Sequence, residues 1–573
     1  MGEDRRKTSG VKRRDFLKNG AAAGAGAVIG AGSALAGVSA QGTRAISNWH
    51  RQADIVVIGS CAAGLPAAIR ARDQKATVIV VEENYDIGGH GIISIGNVAL
   101  GGGNRIQKKY AVEDSPDQIY LENTRPDHVH TRYNDRKVVR AFADHNVEVF
   151  DFLEANGVQF IDARPGNVPA EGVVTLRRVN TSVSSDDLKD SINGTPGSGL
   201  MRALERSARS KGVDILLEHK MTRIVREEPT SGRVLGVSVT NLKTNQVINI
   251  RARQGVIACT GGSSSNVVIR TIYNPLLTEE YQVGCEPYTK QTGDAEQQGM
   301  AIGASLGATN NMRTETYLAL VKPQFLGCRY GYARWTPGSP VFDRAGASGI
   351  PVADYQDVIT VDMLGSRFYN EMVGSTLFDR TGKPDPVFDY LAAALSSAVA
   401  EVDGVKQRVG GPIWAIFDSD AVVREKWQPV HPHVDIKNGY FFNADTLGQL
   451  AGKLAGNVYQ KIPMASRALE ATVARYNSFV DGGADPDFSK PAPKYKIQKP
   501  PFYAAWATPI LHDTYSGLRV NERFQVMDIF GQPIPGFYCA GESAGGFALH
   551  GLGRATVGGY IAATNAVKEP RGR

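Results

Sequence analysis

The feature that most constrains the fold is the segment 53–83, which reads as a strand, a tight turn, a helix and a second strand. Residues 55–58 form a short, apolar, β-branched run, and residues 77–81 form another. Small residues fill positions 59–64 between the first run and the helix-forming stretch, and an acidic residue follows the second run. This order of elements is typical of a parallel βαβ unit that binds a dinucleotide.

The turn and the acid together define a predicted cofactor site. A glycine turn lets the backbone approach a pyrophosphate, which then lies at the N-terminus of the helix. Glu82 follows Gly59 by 23 residues, and a carboxylate at that place accepts hydrogen bonds from a ribose. The middle glycine of the usual pattern is replaced by Cys61. The residues predicted to contact the dinucleotide in this unit are Gly59, Cys61, Ala62, Ala63, Gly64, Glu82 and Glu83.

Three more glycine-containing segments narrow the kind of cofactor. They lie at 88–94, directly after the acid, at 255–262 and at 533–542. They resemble the signatures of the FAD-binding flavoproteins in the fumarate reductase, succinate dehydrogenase and 3-ketosteroid Δ1-dehydrogenase superfamily. The resemblance extends over residues 53–567 and implies FAD as the cofactor.

The resemblance also implies an α/β fold, with a Rossmann-like (GR2-type) FAD-binding domain and an inserted α+β capping domain that contributes to the substrate site. A chain of 573 residues is in any case too long for one hydrophobic core. We predict the first part of the FAD-binding domain at 41–312, the capping domain at 313–511 and the second part of the FAD-binding domain at 512–573.

The superfamily signatures add residues to the predicted FAD site. In succinate dehydrogenases a histidine at the position of His90 carries FAD covalently, but the threonine that follows it there is missing here. Hydrogen bonding of His90 to a non-covalent FAD is therefore expected, with a covalent link as the alternative. The positions that the resemblance adds are Gly89, His90, Gly91, Ser94, Met221, Gly261, Asp294, Glu542, Thr556 and Val557.

The N-terminal 40 residues are predicted to be a twin-arginine signal peptide. Arg13 and Arg14 precede a mildly apolar Ala/Gly stretch at 21–37, and residues 38–40 offer a small-residue cleavage site. A membrane anchor is the alternative, but the stretch is short and weakly hydrophobic. We therefore expect export to the periplasm or secretion, without stable membrane insertion.

Charge and cysteine usage restrict the possible partners. The signal peptide holds seven basic and three acidic residues, so its removal lowers the formal charge from +6 to about +2 and leaves no basic field for nucleic acid. The five cysteines show no CxxC or CxxCH pattern, so no metal, haem or iron–sulfur site is predicted. A disulfide between Cys285 and Cys328 stays open as an alternative to core packing.

The segment 550–558 combines two patterns of the superfamily. Its His-Gly-x-x-Arg part is similar to fumarate reductase, in which the arginine binds a substrate carboxylate, whereas residues 555–558 resemble the ketosteroid dehydrogenases, whose main chain meets the flavin ring there. The resemblance implies that Arg554 binds an anionic or carbonyl group of the substrate, because a guanidinium forks onto planar oxygens. An ion pair with the flavin or with Glu542 is the alternative.

Other catalytic candidates also follow from the resemblance. His512 occupies a superfamily position at the flavin or the substrate, and a structural role is its alternative. Ketosteroid dehydrogenases use tyrosines as acid and base, and the predicted cap is rich in tyrosine. Tyr355 is the first choice for proton transfer, with Tyr317 second, and Asp354 lies beside Tyr355. Tyr330, Tyr332 and Tyr503 complete this group of tyrosines.

Two departures from fumarate reductase argue against fumarate as the substrate. Counting along the motifs places Glu315 at the position of a histidine and Asp354 at that of the proton-donating arginine. Two carboxylates cannot favourably bind a dianion. The expected substrate is therefore larger and at most singly anionic on the cap side.

The sequence as a whole predicts an exported FAD-dependent oxidoreductase that acts on the C–C bond next to a carbonyl or carboxylate, either by ene-reduction or by dehydrogenation. The expected substrate is a small cyclic, aromatic or enone-type molecule, and the electron partner is an external carrier such as cytochrome c or a quinone. A ketosteroid Δ1-dehydrogenase-like desaturase, a flavin oxidase that uses oxygen and a non-catalytic FAD electron-transfer subunit are the alternatives.

Overall fold

The apolar run after residue 50 forms the central strand of the largest sheet, β1 (Arg51–Ile58), whose last six residues are buried. It is followed by helix α1 (Gly64–Asp73) and by strand β2 (Val78–Val81), which pairs with β1 in parallel. Parallel strands that are buried on both faces need continuous apolar runs rather than an alternation of apolar and polar residues. The computed structural model describes residues 46, 48–126, 131–170, 173–184, 195–273, 275–307, 320–321, 325–353, 355–372, 397–511, 514–549 and 551–572.

The largest sheet draws its strands from both ends of the described chain. Strand β3 (Val247–Ala258) pairs in parallel with the other side of β1, and β4 (Pro533–Cys539) pairs in parallel with β3. The spatial order of the main path is Gln525–Met527, Pro533–Cys539, Val247–Ala258, Arg51–Ile58, Val78–Val81 and Asp214–Leu216. The antiparallel pair His219–Arg226 and Val234–Asn241 extends from β3.

Helices cover this sheet, and one contact between them requires a glycine. The helix α2 (Gly551–Ala566) packs against α1. A Cβ at Gly559 would lie 2.0 Å from the carbonyl oxygen of Ala63, so only glycine lets the two backbones approach this closely. The close contact holds the start of α1 against the C-terminal helix.

A second layer lies between β3 and β4 in the sequence. It is a four-stranded antiparallel sheet in the order Ile359–Val361, Trp414–Phe417, Phe502–Trp506 and Phe441–Ala444. Its apolar core includes Trp414 and Trp506, which make an edge contact, and Leu469 from the helix Ser466–Gly482. The helix Leu447–Lys453 and the 3-10 turn Leu454–Gly456 complete this layer.

The remaining elements surround these two layers. The other helices are Gly89–Ile93, Arg105–Lys109, Pro116–Glu122, Arg136–Asp144, Asn146–Ala155, Pro196–Ser210, Val267–Tyr273, Asp294–Ala301, Phe342–Ala345, Tyr355–Asp357, Ser419–Glu425 and Gly541–Ser543. Small sheets are formed by Asn97–Ala99, Gly166–Ala170, Val173–Thr181, Gln282–Val283, Leu306–Gly307, Leu320–Val321, Phe325–Leu326, Ile350–Pro351, Ala398–Val402, Val405–Val409, Ile510–Leu511, Gly517–Arg519 and Ala544–Gly545.

The architecture confirms the predicted α/β fold class with its FAD-type parallel sheet and inserted α+β layer. The boundaries at 312 and 511 stay predictions, and the proposed signal peptide at 1–40 lies outside the described residues. Within the part of the chain that the structure describes, no helix combines the length and the apolar composition that crossing a membrane requires.

Candidate cofactor and active site

A cavity of about 220 Å³, partly open to solvent, lies at the carboxyl ends of β1, β2 and β3. Thirteen of the residues predicted to bind FAD line it, although they come from seven separate parts of the sequence. They are Gly59, Cys61, Ala62, Glu82, Glu83, Gly89, His90, Gly91, Ser94, Met221, Gly261, Asp294 and Glu542. The fold thus brings together segments that the sequence could assign to FAD only one by one.

The turn after β1 has the geometry that the glycine pattern predicts. Gly59 has a φ of +94°, and a Cβ on it would lie 2.2 Å from the carbonyl oxygen of Cys259. The Cys61 thiol points to that same carbonyl oxygen at 3.1 Å. Ala63, which caps α1, and Gly64, its first residue, are buried and do not line the cavity.

The acid after β2 is buried and held in place. The Glu82 carboxylate accepts hydrogen bonds from the backbone N–H and hydroxyl of Ser60 at 2.8 and 2.7 Å, and from the N–H of Asn84 at 2.9 Å. Burial raises the pKa of Glu82 and outweighs these hydrogen bonds. The group is therefore well placed to accept a ligand hydroxyl, which would satisfy a further lone pair.

One lysine neutralises two other acids of the wall. Lys220 Nζ lies 2.9 Å from a carboxylate oxygen of Glu83 and 3.2 Å from one of Asp294. Next to it in the chain, Met221 contributes apolar surface to the cavity. His219 also lines this region, with Nδ1 2.7 Å from the carbonyl of Leu217. The sequence analysis did not identify His219, whose only signal was its position beside Met221.

His90 and a residue from the inserted segment also line the cavity. His90 belongs to the helix Gly89–Ile93, and its ring makes an edge contact with Tyr332, with ring centroids 6.0 Å apart. Leu552 and Ala555 line the wall near the start of α2. Among the tyrosines grouped in the sequence analysis, Tyr332 is the one in the described chain that reaches this cavity.

Glu542 is connected to a polar network that the sequence did not reveal. Its Oε2 accepts a hydrogen bond from Gln291 Nε2 at 2.7 Å and one from the Thr514 hydroxyl at 3.3 Å. Gln291 in turn accepts from the Ser264 hydroxyl at 2.5 Å. Three loops are therefore tied together at the carboxylate of Glu542.

Lys290 is a further residue that sequence reasoning missed. It is exposed to solvent and is the one lysine or arginine among the described residues that line the cavity. It forms no ion pair with other described residues, whereas the wall contains Glu82, Glu83, Asp294 and Glu542. Its side chain is thus available to an anionic ligand.

Arg554 lies behind the wall rather than in it. Its guanidinium is 2% exposed and donates to the carbonyl oxygens of Thr514, at 2.9 Å, and Ala544. It also packs over the rings of Tyr515 and Phe547, at 5.0 and 4.7 Å from their centroids. These contacts support the loop before α2, and a substrate contact of Arg554 stays a prediction.

Two residues predicted at the flavin ring also do not line the cavity. Thr556 and Val557 are buried within α2, and the Thr556 hydroxyl donates to the carbonyl oxygen of Leu552 at 2.9 Å. Both follow Ala555, which does line it.

Tyr355 is also away from the cavity. It begins the 3-10 turn Tyr355–Asp357 and packs against the apolar cluster around Phe417. Burial raises its pKa, and its carbonyl accepts a hydrogen bond from Lys490 at 2.8 Å. The other predicted catalytic positions, Tyr317, Asp354 and His512, lie outside the described residues, as does Glu315.

The residues that line the cavity have the chemistry that binding of FAD requires. A glycine turn at a helix N-terminus and Lys290 suit a pyrophosphate, the buried Glu82 suits a ribose, and apolar surface from Met221 and Leu552 suits flat rings. By contrast, the described residues contain no cluster of three His, Cys, Asp or Glu side chains arranged for a metal. Cys285 and Cys328 are both buried free thiols, so no disulfide joins them.

Fold and cavity together define a flavoprotein with a Rossmann-like FAD domain. Comparison with protein families places the chain in the FAD-binding-domain family, whose model matches residues 54–555. The protein belongs to this family and is an FAD-dependent oxidoreductase, as the sequence predicted.

Sequence relatives and known structures agree with this assignment. The chain is 26% identical over 560 residues to the acrylate reductase flavoprotein subunit of Shewanella woodyi, covering 95% of this chain and 94% of that protein. It is 26% identical over 498 residues to the urocanate reductase of Eggerthella lenta, covering 86% and 70%. An open flavocytochrome c3 fumarate reductase superposes with a TM-score of 0.62 at 22% identity, covering 98% and 82%. The last similarity concerns the fold alone.

Proposed function

We propose that the protein catalyses hydride and proton transfer at the C–C bond next to a carbonyl or carboxylate of a small molecule, in the direction of reduction. The observation that carries this proposal is the single cavity in which the FAD-binding segments converge, in a chain related to acrylate and urocanate reductases. Acrylate and urocanate both have a C=C bond conjugated to a carboxylate.

The proposed substrate class is an unsaturated monocarboxylate or enone with cyclic or aromatic character. The ring that urocanate carries supports this, because aromatic side chains such as Tyr332 provide surface for a flat ligand. Glu315 and Asp354 stand where fumarate reductases place cations, which disfavours a dicarboxylate. We therefore expect fumarate to be a poor substrate.

The chain's own residues bind and orient the reactants. When bound, FAD supplies the hydride. The Glu82 carboxylate and the turn at Gly59 position the cofactor, and Glu542 is held by Gln291 and Thr514 at the wall. Tyr332 is better placed than Tyr355 to exchange a proton with a bound molecule, since it lines the cavity. Arg554 remains the proposed partner of the substrate carbonyl or carboxylate.

We also propose that electrons come from an external carrier such as a periplasmic cytochrome c or a quinone. The sequence shows one dinucleotide fingerprint, which the FAD site uses. The arginine pair at Arg13 and Arg14 supports export, which would place the enzyme among such carriers.

The decisive experiment follows flavin absorbance in reduced, FAD-loaded protein under anaerobic conditions. Acrylate, urocanate, cinnamate, an enone and fumarate are added in turn, with the saturated acids as matched controls. We expect reoxidation by one or more of the monocarboxylates or the enone and little by fumarate or the saturated acids. Reoxidation only when air is admitted, and by none of these compounds, would favour the oxidase, and no reoxidation by either the compounds or air would favour an electron-transfer subunit.

A further inference from the structure

A buried acid lies directly behind the cofactor cavity. Glu296 belongs to the helix Asp294–Ala301 and is 2% exposed. Apart from its own backbone N–H, neither carboxyl oxygen has a hydrogen-bond partner among the described residues. Buried polar groups are nearly always hydrogen-bonded, so such an acid needs an explanation.

The surroundings of Glu296 favour the protonated form of its carboxyl group. Among the described residues, the ionisable groups that face it are Asp294 on its own helix, Glu542, Tyr273 and Cys539, and none of these is a cation. Burial, and then the negative charges of Asp294 and Glu542, raises the pKa of Glu296 well above its ordinary value. Burial without a cation nearby therefore favours the neutral form of this carboxyl group.

A polar route connects this acid to the cavity. The helix of Glu296 packs against the strand Gly517–Arg519, where Leu518 touches Gly299. Ser516, which precedes that strand, is 1% exposed, and its hydroxyl hydrogen-bonds with that of Tyr273, which also lies close enough to Glu296 to feel its charge. The unsatisfied carboxyl oxygens of Glu296, near these two hydroxyls, mark a place for a buried water. Gly517 in turn lies against Ser543, next to the cavity residue Glu542.

We propose that Glu296 stores a proton for the cavity and passes it, through the Ser516 hydroxyl or a buried water, to Glu542. This inference rests on the proposed function, because reduction of a C=C bond takes up two electrons and two protons, one of them with the hydride. The O–H bond at Glu296 breaks as an O–H bond forms at the Glu542 carboxylate, and Glu542 then releases this proton to the cavity. Glu296 regains a proton from solvent.

Infrared difference spectroscopy tests the proton store without any alkene. The spectrum of reduced minus oxidised holoprotein is recorded for wild type and Glu296→Gln. We expect a protonated-carboxyl band that changes on reduction in wild type and is missing in the variant. Asp362→Asn is the matched control, since Asp362 is also a buried acid but is hydrogen-bonded by the backbone of Leu364 and Ser366 in the inserted layer. An unchanged band in Glu296→Gln overturns the proposal.

Kinetics tests the transfer itself. With an alkene that reoxidises wild type, Glu296→Gln and Glu296→Met should be slower by about tenfold or more, with a larger solvent isotope effect and normal FAD content. Methionine is apolar and of similar size, so it guards against a folding failure of the glutamine variant. Wild-type rates in both variants overturn the proposal. If no alkene reoxidises wild type, the proposed function fails, while the infrared result still decides the role of Glu296.

Discussion

The carboxylate of Glu82 accepts two hydrogen bonds from Ser60, one from its backbone N–H at 2.8 Å and one from its hydroxyl at 2.7 Å. This pair joins the end of β2 to the turn after β1. The acid proposed to bind the ribose and the turn proposed to bind the pyrophosphate are thus parts of one unit, and a change in either affects the other.

Changes in this unit should remove FAD. In Gly59→Val, the side chain would collide with the Cys259 carbonyl, 2.2 Å from the new Cβ, at a φ of +94°. Glu82→Ala loses the ribose acceptor and leaves the Ser60 donors unsatisfied. We expect both proteins to be colourless or unstable, as measured by the ratio of flavin to protein absorbance and by Tm. Gly157→Val is the control, because Gly157 has a similar φ of +86° but open space around its Cβ. A fully loaded Gly59→Val/Glu82→Ala double variant would show that the site is assigned wrongly.

Lys290→Gln should weaken FAD binding through the pyrophosphate. Losing one charge-assisted contact of about 1–2 kcal/mol corresponds to roughly fivefold to thirtyfold in Kd. The effect should be larger at low ionic strength because salt screens an exposed charge. Titration of apoprotein measures it, with ADP and adenosine as competitors. ADP should lose affinity and adenosine should not, while the exposed Lys137→Gln leaves both unchanged. Equal loss for adenosine would place Lys290 away from the phosphates.

Arg554→Ala should slow turnover by roughly 30- to 1,000-fold if the guanidinium binds the developing charge of the substrate. The variant should also lose about 2–4 kcal/mol of unfolding free energy, because the carbonyls of Thr514 and Ala544 lose their donor. Arg554→Lys should recover little of either, since a point charge cannot replace the planar fork. Rate, FAD content and Tm are measured together. Joint loss of FAD and rate would make Arg554 a support of the cofactor site rather than a substrate partner.

The inserted layer contains a buried ion cluster, which should make the free energy of unfolding depend on pH. Glu371 accepts hydrogen bonds from Arg367 at 2.9 and 2.8 Å and lies 3.5 Å from Lys490. Burial alone would raise the pKa of Glu371, but these cations outweigh it and lower the pKa below its ordinary value of 4.5. The stabilisation is therefore present above 4.5 and is lost as the pH falls through the lowered pKa of the folded state.

The variant Glu371→Gln tests this predicted loss of stability at low pH. At neutral pH we expect a loss of about 3 kcal/mol in unfolding free energy, because the buried Lys490 loses its carboxylate and Arg367 keeps only its ion pair with Asp485. The difference from wild type should shrink as the pH is lowered below the ordinary carboxyl range. Thermal unfolding across pH measures it, with the exposed Glu470→Gln as a control that should change little. A difference that is independent of pH would contradict the linkage.

Export should depend on the arginine pair at 13 and 14. The twin-arginine receptor reads the pair itself, so Arg13→Lys with Arg14→Lys should leave the protein in the cytoplasm. The upstream pair provides a matched control, and Arg5→Lys with Arg6→Lys should be exported normally. Fractionation with an antibody to the mature protein shows the location. Normal export of the first double variant would contradict the signal assignment.

The sequence predicted the FAD unit well because its signal is local. The spacing from Gly59 to Glu82 reflects one strand, one helix and a second strand, and each of these forms from adjacent residues. The cysteine in the middle of the pattern is tolerated because the Cys61 side chain turns towards the Cys259 carbonyl. Family, cofactor and fold class all follow from this kind of short-range pattern.

Positions that depend on how distant segments pack were harder to predict. Tyr355 and Tyr332 look alike in sequence, but one packs against the inserted sheet and the other reaches the cavity beside His90. Lys290 and Gln291 belong to no motif. They line the cavity because of the position of their loop in the folded chain.

By itself, then, the sequence determined the binding turn, the acid and the cofactor class, since these depend on residues a few turns apart. The tertiary structure alone decided which polar groups face the cavity and which support it from behind. It placed the Arg554 guanidinium so that it donates hydrogen bonds to two backbone carbonyls. It left the carboxyl oxygens of Glu296 without a hydrogen-bond partner on any other described residue. The reason is physical: burial and hydrogen bonding of a side chain depend on contacts between separate segments of the chain, which no local pattern encodes.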